Sequence, residues 1–167
     1  CLVSLSDKEP LYVLYNVNYG QAADMAWSGG TPGKLLQWEG TCTDNQSFYV
    51  NLVNEADGVV QLLYKNDTSN ALQVQSDGSL KMVAGATGES TYFRLEYVKN
   101  EKVNYIPVID RYFIIREKST GYAINTRGNN VNNARIYLDS YNQDKKENFI
   151  WQLRRNALNV EYCQFYG

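Results

Sequence analysis

The 167-residue sequence contains no histidine. That absence removes Ser-His-Asp and Cys-His nucleophilic systems and every histidine-based zinc site, so most hydrolytic mechanisms lose their usual base. A carboxylate pair of the glycosidase kind would be the remaining route, and no such pair stands out among the 18 acidic residues. The chain is therefore expected to be non-catalytic, with no metal and no cofactor. Positive charge is also in short supply: 16 Lys and Arg give a net charge of −2. That balance provides no general electrostatic attraction for a phosphate backbone or an anionic lipid surface, so nucleic acid is not an expected partner. No run of 18 apolar residues occurs, which excludes a transmembrane helix.

Three prolines and three cysteines complete the list of scarce residues. So little proline argues against a disordered chain. An odd cysteine count leaves one thiol unpaired whichever bridge forms. Cys1 reads in two ways, as a structural cysteine that pairs with Cys163 and leaves Cys42 free, or as the acylated first residue of a lipoprotein after signal cleavage. Either reading places the chain in a secreted or cell-surface setting.

What is present is strand-forming material. Fourteen Tyr, five Phe and three Trp accompany a 44% hydrophobic composition, enough for a real core. Leu11-Tyr12-Val13-Leu14-Tyr15, Val59-Val60-Gln61-Leu62-Leu63-Tyr64 and Tyr112-Phe113-Ile114-Ile115 are β-branched or aromatic runs bounded by Asn, Asp and Gly. No segment holds a 3.6-residue apolar period with caps, so the chain reads as all-β.

The runs open three similar units, at about 11–54, 57–98 and 111–153, within one domain spanning 1–167. Residues 99–111 form an insertion between the second and third, and 154–167 a C-terminal extension. Each unit passes through a small-residue turn: Gly20-Gln21-Ala22-Ala23-Asp24, Ser69-Asn70-Ala71-Leu72-Gln73 and Gly121-Tyr122-Ala123-Ile124-Asn125. Each closes on a phenylalanine that begins an alternating strand, at Phe48, Phe93 and Phe149. From the central alanine to that phenylalanine the count is 26 residues in the first and third units and 22 in the second. Adding 101 therefore overlays the first unit on the third, placing Asn125 under Asp24, Asp139 under Trp38 and Glu147 under Gln46. Units unable to bury an apolar face alone must pack together, which predicts a threefold barrel.

These units resemble the repeats of ricin-type β-trefoil lectins, which end in a Gln-x-Trp-like motif. Asn45-Gln46-Ser47-Phe48 is similar to that ending, with Phe in place of Trp, while Thr91 and Glu147 stand at the glutamine position of the other units. The resemblance covers roughly residues 11 to 153. It implies a β-trefoil of about a dozen short strands with little or no helix, the chain ends near one another, and a glycan or glycoconjugate as ligand.

It also implies a carbohydrate site in the first unit. Asp24 takes the place of the acid, Trp38 that of the aromatic platform, and Asn45 with Gln46 that of the polar pair; Trp27 either widens the platform or fills the core. A carboxylate and an amide bind adjacent hydroxyls while a flat ring covers the apolar face of a sugar. The bland alternative leaves Trp38 in the core, Gln46 on backbone groups and Asp24 in a turn. A possible second site comprises Asn125, Tyr137, Asp139, Tyr141 and Asn142, and Gln73 makes the middle unit a poor candidate. The expected role is a non-catalytic carbohydrate-binding module or lectin, the targeting part of a larger surface protein or toxin assembly. The other reading is a β-trefoil subunit that docks a protein partner through Tyr105-Ile106-Pro107 or the aromatic tail at 162–166.

Overall fold

The computed structural model describes residues 11–18, 20–26, 33–41, 43–98 and 112–155. Trp27, all three cysteines, the insertion at 99–111 and the tail from 156 lie outside the described residues, as does the expected Cys1–Cys163 pairing.

The predicted strand runs are strands, four to each unit. The first unit holds β1 (Leu11–Asn16), β2 (Ala22–Met25), β3 (Leu35–Trp38) and β4 (Phe48–Asn54). The second holds β5 (Val59–Tyr64), β6 (Asp67–Val74), β7 (Leu80–Ala84) and β8 (Phe93–Val98). The third holds β9 (Tyr112–Glu117), β10 (Ala123–Asn125), β11 (Tyr137–Asp139) and β12 (Ile150–Arg155). Among the described residues helix is confined to three 3-10 turns, at Asp44–Gln46, Glu89–Thr91 and Gln143–Asn148, each just before a closing strand.

Six strands form a ring. β1 pairs with β4, β4 with β5, β5 with β8, β8 with β9, β9 with β12, and β12 returns to β1, all antiparallel. The other six make three hairpins, β2–β3, β6–β7 and β10–β11. These touch one another in turn, through isolated bridges of Lys34 to Lys81, Ser79 to Tyr137 and Leu36 to Arg135. A barrel capped by three hairpins is the β-trefoil arrangement, and closure leaves the ring no free edge. Gly20 and Gly121 occupy matching turns after β1 and β9, both at positive φ and both donating their N–H to the carbonyl of the strand's last residue, Asn16 or Glu117. A side chain at that φ would be strained. Among the described residues no helix is long and apolar enough to cross a membrane.

The closing strands alternate as their sequences require. Val50, Trp151 and Leu153 are buried in the main core, with Leu52, Leu95 and Tyr97 packed against it. One correspondence differs from the expectation. Phe48 pairs with Tyr12 and Phe93 with Val60, and the residue that takes this place in the third unit is Trp151, paired with Phe113. Phe149 stands two residues earlier, in a smaller cluster with Tyr112 and Ile150. The cause is the 3-10 turn before β12, which has six residues where the others have three. The +101 overlay thus holds through the hairpin and fails after it. Phe149, not Glu147, occupies the glutamine position, and Asn148 lies under Asn45.

Trp151 is fully buried and its indole N–H donates to the Ile124 carbonyl at 3.2 Å. Trp151→Ala is expected to cost about 3–5 kcal/mol. Val131→Ala, at a 61% exposed position, should stay within about 0.5 kcal/mol. Urea unfolding monitored by circular dichroism checks both, and equal midpoints for the two variants would refute the placement of Trp151 at the core.

Candidate functional site

The first-unit residues converge on the outward face of the β2–β3 hairpin. Ala23, Met25 and Leu35 point into the core, which by strand alternation turns Asp24, Leu36 and Trp38 the other way. Asp24 pairs with Leu36 and Ala22 with Trp38, so carboxylate and indole are diagonal neighbours on one face. Trp38 is partly exposed at the end of its strand.

Asp24 is only 7% exposed, yet both carboxylate oxygens are held. Oδ1 accepts from Asn45 Nδ2 at 2.8 Å and Oδ2 from Gln46 Nε2 at 2.9 Å. Burial pushes the Asp24 pKa above its ordinary value, and the two amide hydrogen bonds oppose that rise. Each oxygen retains acceptor capacity beyond the one bond it receives.

Gln46 is completely buried and both ends of its amide are hydrogen-bonded. Besides Asp24 it donates to the Glu39 carbonyl at 2.9 Å, and its Oε1 accepts from the Thr41 N–H at 2.9 Å. It therefore ties the 39–41 loop to the acid and positions Asp24. Gly40 in that loop lies against Tyr15, where a Cβ would fall 2.6 Å from the ring.

Sequence reasoning passed over Thr41 and Thr43. Their hydroxyls are 2.9 Å apart, and Thr43 donates to Asn45 Oδ1. A chain of hydrogen bonds thus runs from Thr41 through Thr43 and Asn45 to the carboxylate, each bond polarising the next. The alternating Thr-x-Thr-x-Asn of residues 41–45 was the available signal. Asp44 anchors the same turn to the second unit through Lys65 at 2.9 Å and Asn66 at 2.7 Å.

The third-unit candidates separate. Asn125 and Asp139 meet, with Asn125 Nδ2 donating to Asp139 Oδ2 at 2.9 Å. The same carboxylate takes a bidentate pair from Arg127, Nε and Nη2 each at 2.8 Å, and the hydrogen bond from Arg127 holds its pKa below the ordinary value. The Arg127 guanidinium lies 3.7 Å from the Tyr137 ring centroid and covers it. Asn142 caps the 3-10 turn by accepting the Asp144 N–H, and it lines a cleft of about 240 Å³ with Asn125, Arg127 and Asn148. Tyr141 does not join them: its ring packs edge-on against Phe149 and lines a different cleft beside Glu96 and Tyr97. In the second unit Gln73 donates to Ser90 at 3.1 Å, and Val83 stands where Trp38 would. Among the described residues no group of three or more acids or cysteines could hold a metal.

No protein-family model matches this chain, and no curated protein does either. Solved structures do. A designed threefold-symmetric protein, ThreeFoil, aligns with 87% of the chain and 98% of its own length, at 19% identity and a TM-score of 0.69. The ricin B-like lectin of Macrolepiota procera, solved in complex with lactose, aligns with 93% of the chain and 99% of its own, at 17% identity and TM-score 0.66. A mosquitocidal holotoxin aligns with 90% of the chain at 11% identity and TM-score 0.73, but only 18% of its own length is covered. At these identities the likeness is one of fold: this chain is a β-trefoil of the kind found in ricin B-like lectins.

Proposed function

We propose that the chain is a non-catalytic carbohydrate-binding module with its site in the first unit. The observation that carries this reading is Asp24, a nearly buried carboxylate fixed by Asn45 and Gln46 beside the partly exposed indole of Trp38. The carboxylate is the hydrogen-bond acceptor for vicinal sugar hydroxyls, Asn45 their amide neighbour, and Trp38 the surface for the apolar C–H face. Gln46 acts through Asp24. Fold likeness to a lectin solved with lactose supports the ligand class, and likeness to one part of a holotoxin supports a targeting role within a larger surface or toxin assembly. We place the protein in a secreted or cell-surface setting.

Asp139 and Tyr137 are already engaged by Arg127, so binding is monovalent. A glycan array on the chain identifies the ligand. Against that glycan, Asp24→Ala and Trp38→Ala should each lower affinity tenfold or more in isothermal titration, a loss of about 1.5–3 kcal/mol for a charge-assisted bond. Asp139→Ala should leave affinity unchanged. If all three folded variants bind like the parent, the first-unit site is wrong.

The raised pKa of Asp24 sets a pH dependence. The ionised form accepts the sugar hydroxyls, so affinity should fall as pH drops through the Asp24 pKa, above the usual carboxylate value of about 3.9. Folding runs the other way for this group: a raised folded pKa contributes stability at low pH and loses it as pH rises. Weakened binding on acidification is thus separable from unfolding at this residue. Affinity that stays flat until ordinary carboxylates titrate would contradict the assignment.

A further inference from the structure

The three hairpins bring three cations to one place. Lys34 precedes β3, Lys81 lies on β7 and Arg135 precedes β11, one from each unit, and all line a cleft of about 350 Å³ with Gln75 and Ser76. Lys34 and Lys81 are direct partners in an antiparallel bridge, an arrangement in which like charges repel. Among the described residues none of the three is within 4 Å of a carboxylate; the ion pairs there use Lys65, Arg116, Lys118 and Arg127. Asp77 is the acid lining the cleft, and its carboxylate already receives the Ser79 N–H and hydroxyl. Arg135 Nε is inaccessible to solvent and has no partner among the described residues, which leaves a buried charged donor unsatisfied. The cleft therefore concentrates two net positive charges in a chain whose total is −2.

We propose that this cleft binds an oxyanion, a sulfate or phosphate group held between Lys34, Lys81 and Arg135. The anion relieves the repulsion across the bridge and pairs with the Arg135 guanidinium at the cleft wall, with Ser76 at the rim. The group arrives either as a free ion or as an ester on a larger molecule such as a sulfated glycan. The site lies where the hairpins meet and shares no residue with the Asp24 site.

Thermal unfolding of the chain in sodium sulfate, against sodium chloride at equal ionic strength, tests it. The parent midpoint should rise with sulfate. The Lys34→Gln/Lys81→Gln double variant should need at least tenfold more sulfate for the same rise, whereas Lys118→Gln should respond like the parent. Lys34→Glu alone should raise the midpoint without sulfate, because it replaces a repulsion by an attraction, and should abolish the sulfate response. Asp24→Ala should keep it, so failure here is distinct from failure of the sugar site. Tighter binding of a sulfated disaccharide than of inorganic sulfate identifies the ester as the source, and equal binding identifies the free ion; either sustains the site. A parent that responds equally to sulfate and chloride, or a double variant that responds like the parent, would overturn it.

Discussion

The pairing of β12 with β1 is the contact on which the rest of the molecule depends. Leu14 opposite Leu153 and Asn16 opposite Trp151 join the last unit to the first and turn a row of strands into a closed barrel. Asn16, fully buried, donates its side-chain amide to the Ile150 carbonyl across that seam. Closure gives every barrel strand two neighbours and a common interior, so no unit has to bury its apolar face alone. It also fixes the hairpins against one another, and both candidate sites are built on those hairpins.

With the scaffold fixed, the three units become three outcomes at the same positions. The first holds an acid at 24, an aromatic at 38 and an amide at 45. The second holds Gln73, Val83 and Ser90, which satisfy one another or pack and leave no charge to offer a ligand. The third moves the acid across the hairpin, from the Asn125 position to Asp139, and neutralises it with Arg127. A neutral sugar hydroxyl would have to displace a bidentate, charge-assisted pair whose cation also stacks on Tyr137. Asp24, by contrast, meets only amides among the described residues, so no cation there neutralises its charge.

The barrel was legible because its signals are local and repeated: β-branched and aromatic runs, small-residue turns and closing aromatics recur in each unit. Asp24, Asn45 and Gln46 were legible through the resemblance to ricin-type repeats, and the structure joins them by hydrogen bonds. What escaped the sequence depended on length or on distant partners. A six-residue 3-10 turn in place of a three-residue one shifted the third closing strand, so Phe149 looked like the partner of Phe48 when Trp151 is. Arg127 gave no hint that it would fold over Tyr137, because its positive φ and its bond to the Asn125 side chain arise only in the formed turn. The convergence of Lys34, Lys81 and Arg135 was equally invisible, since 47 and 54 positions separate successive members of the trio.

The central claim is that a sugar seats on the first unit and not the third. Nuclear magnetic resonance of the ¹⁵N-labelled chain, titrated with its highest-ranking array glycan, reads this residue by residue. The account predicts saturable shifts of the Trp38 indole and of the Asn45 and Gln46 side-chain amides, with the Asn125 and Asn148 amides unmoved. Shifts confined to Asn125 and Asn148, with Trp38 and Asn45 silent, would contradict it.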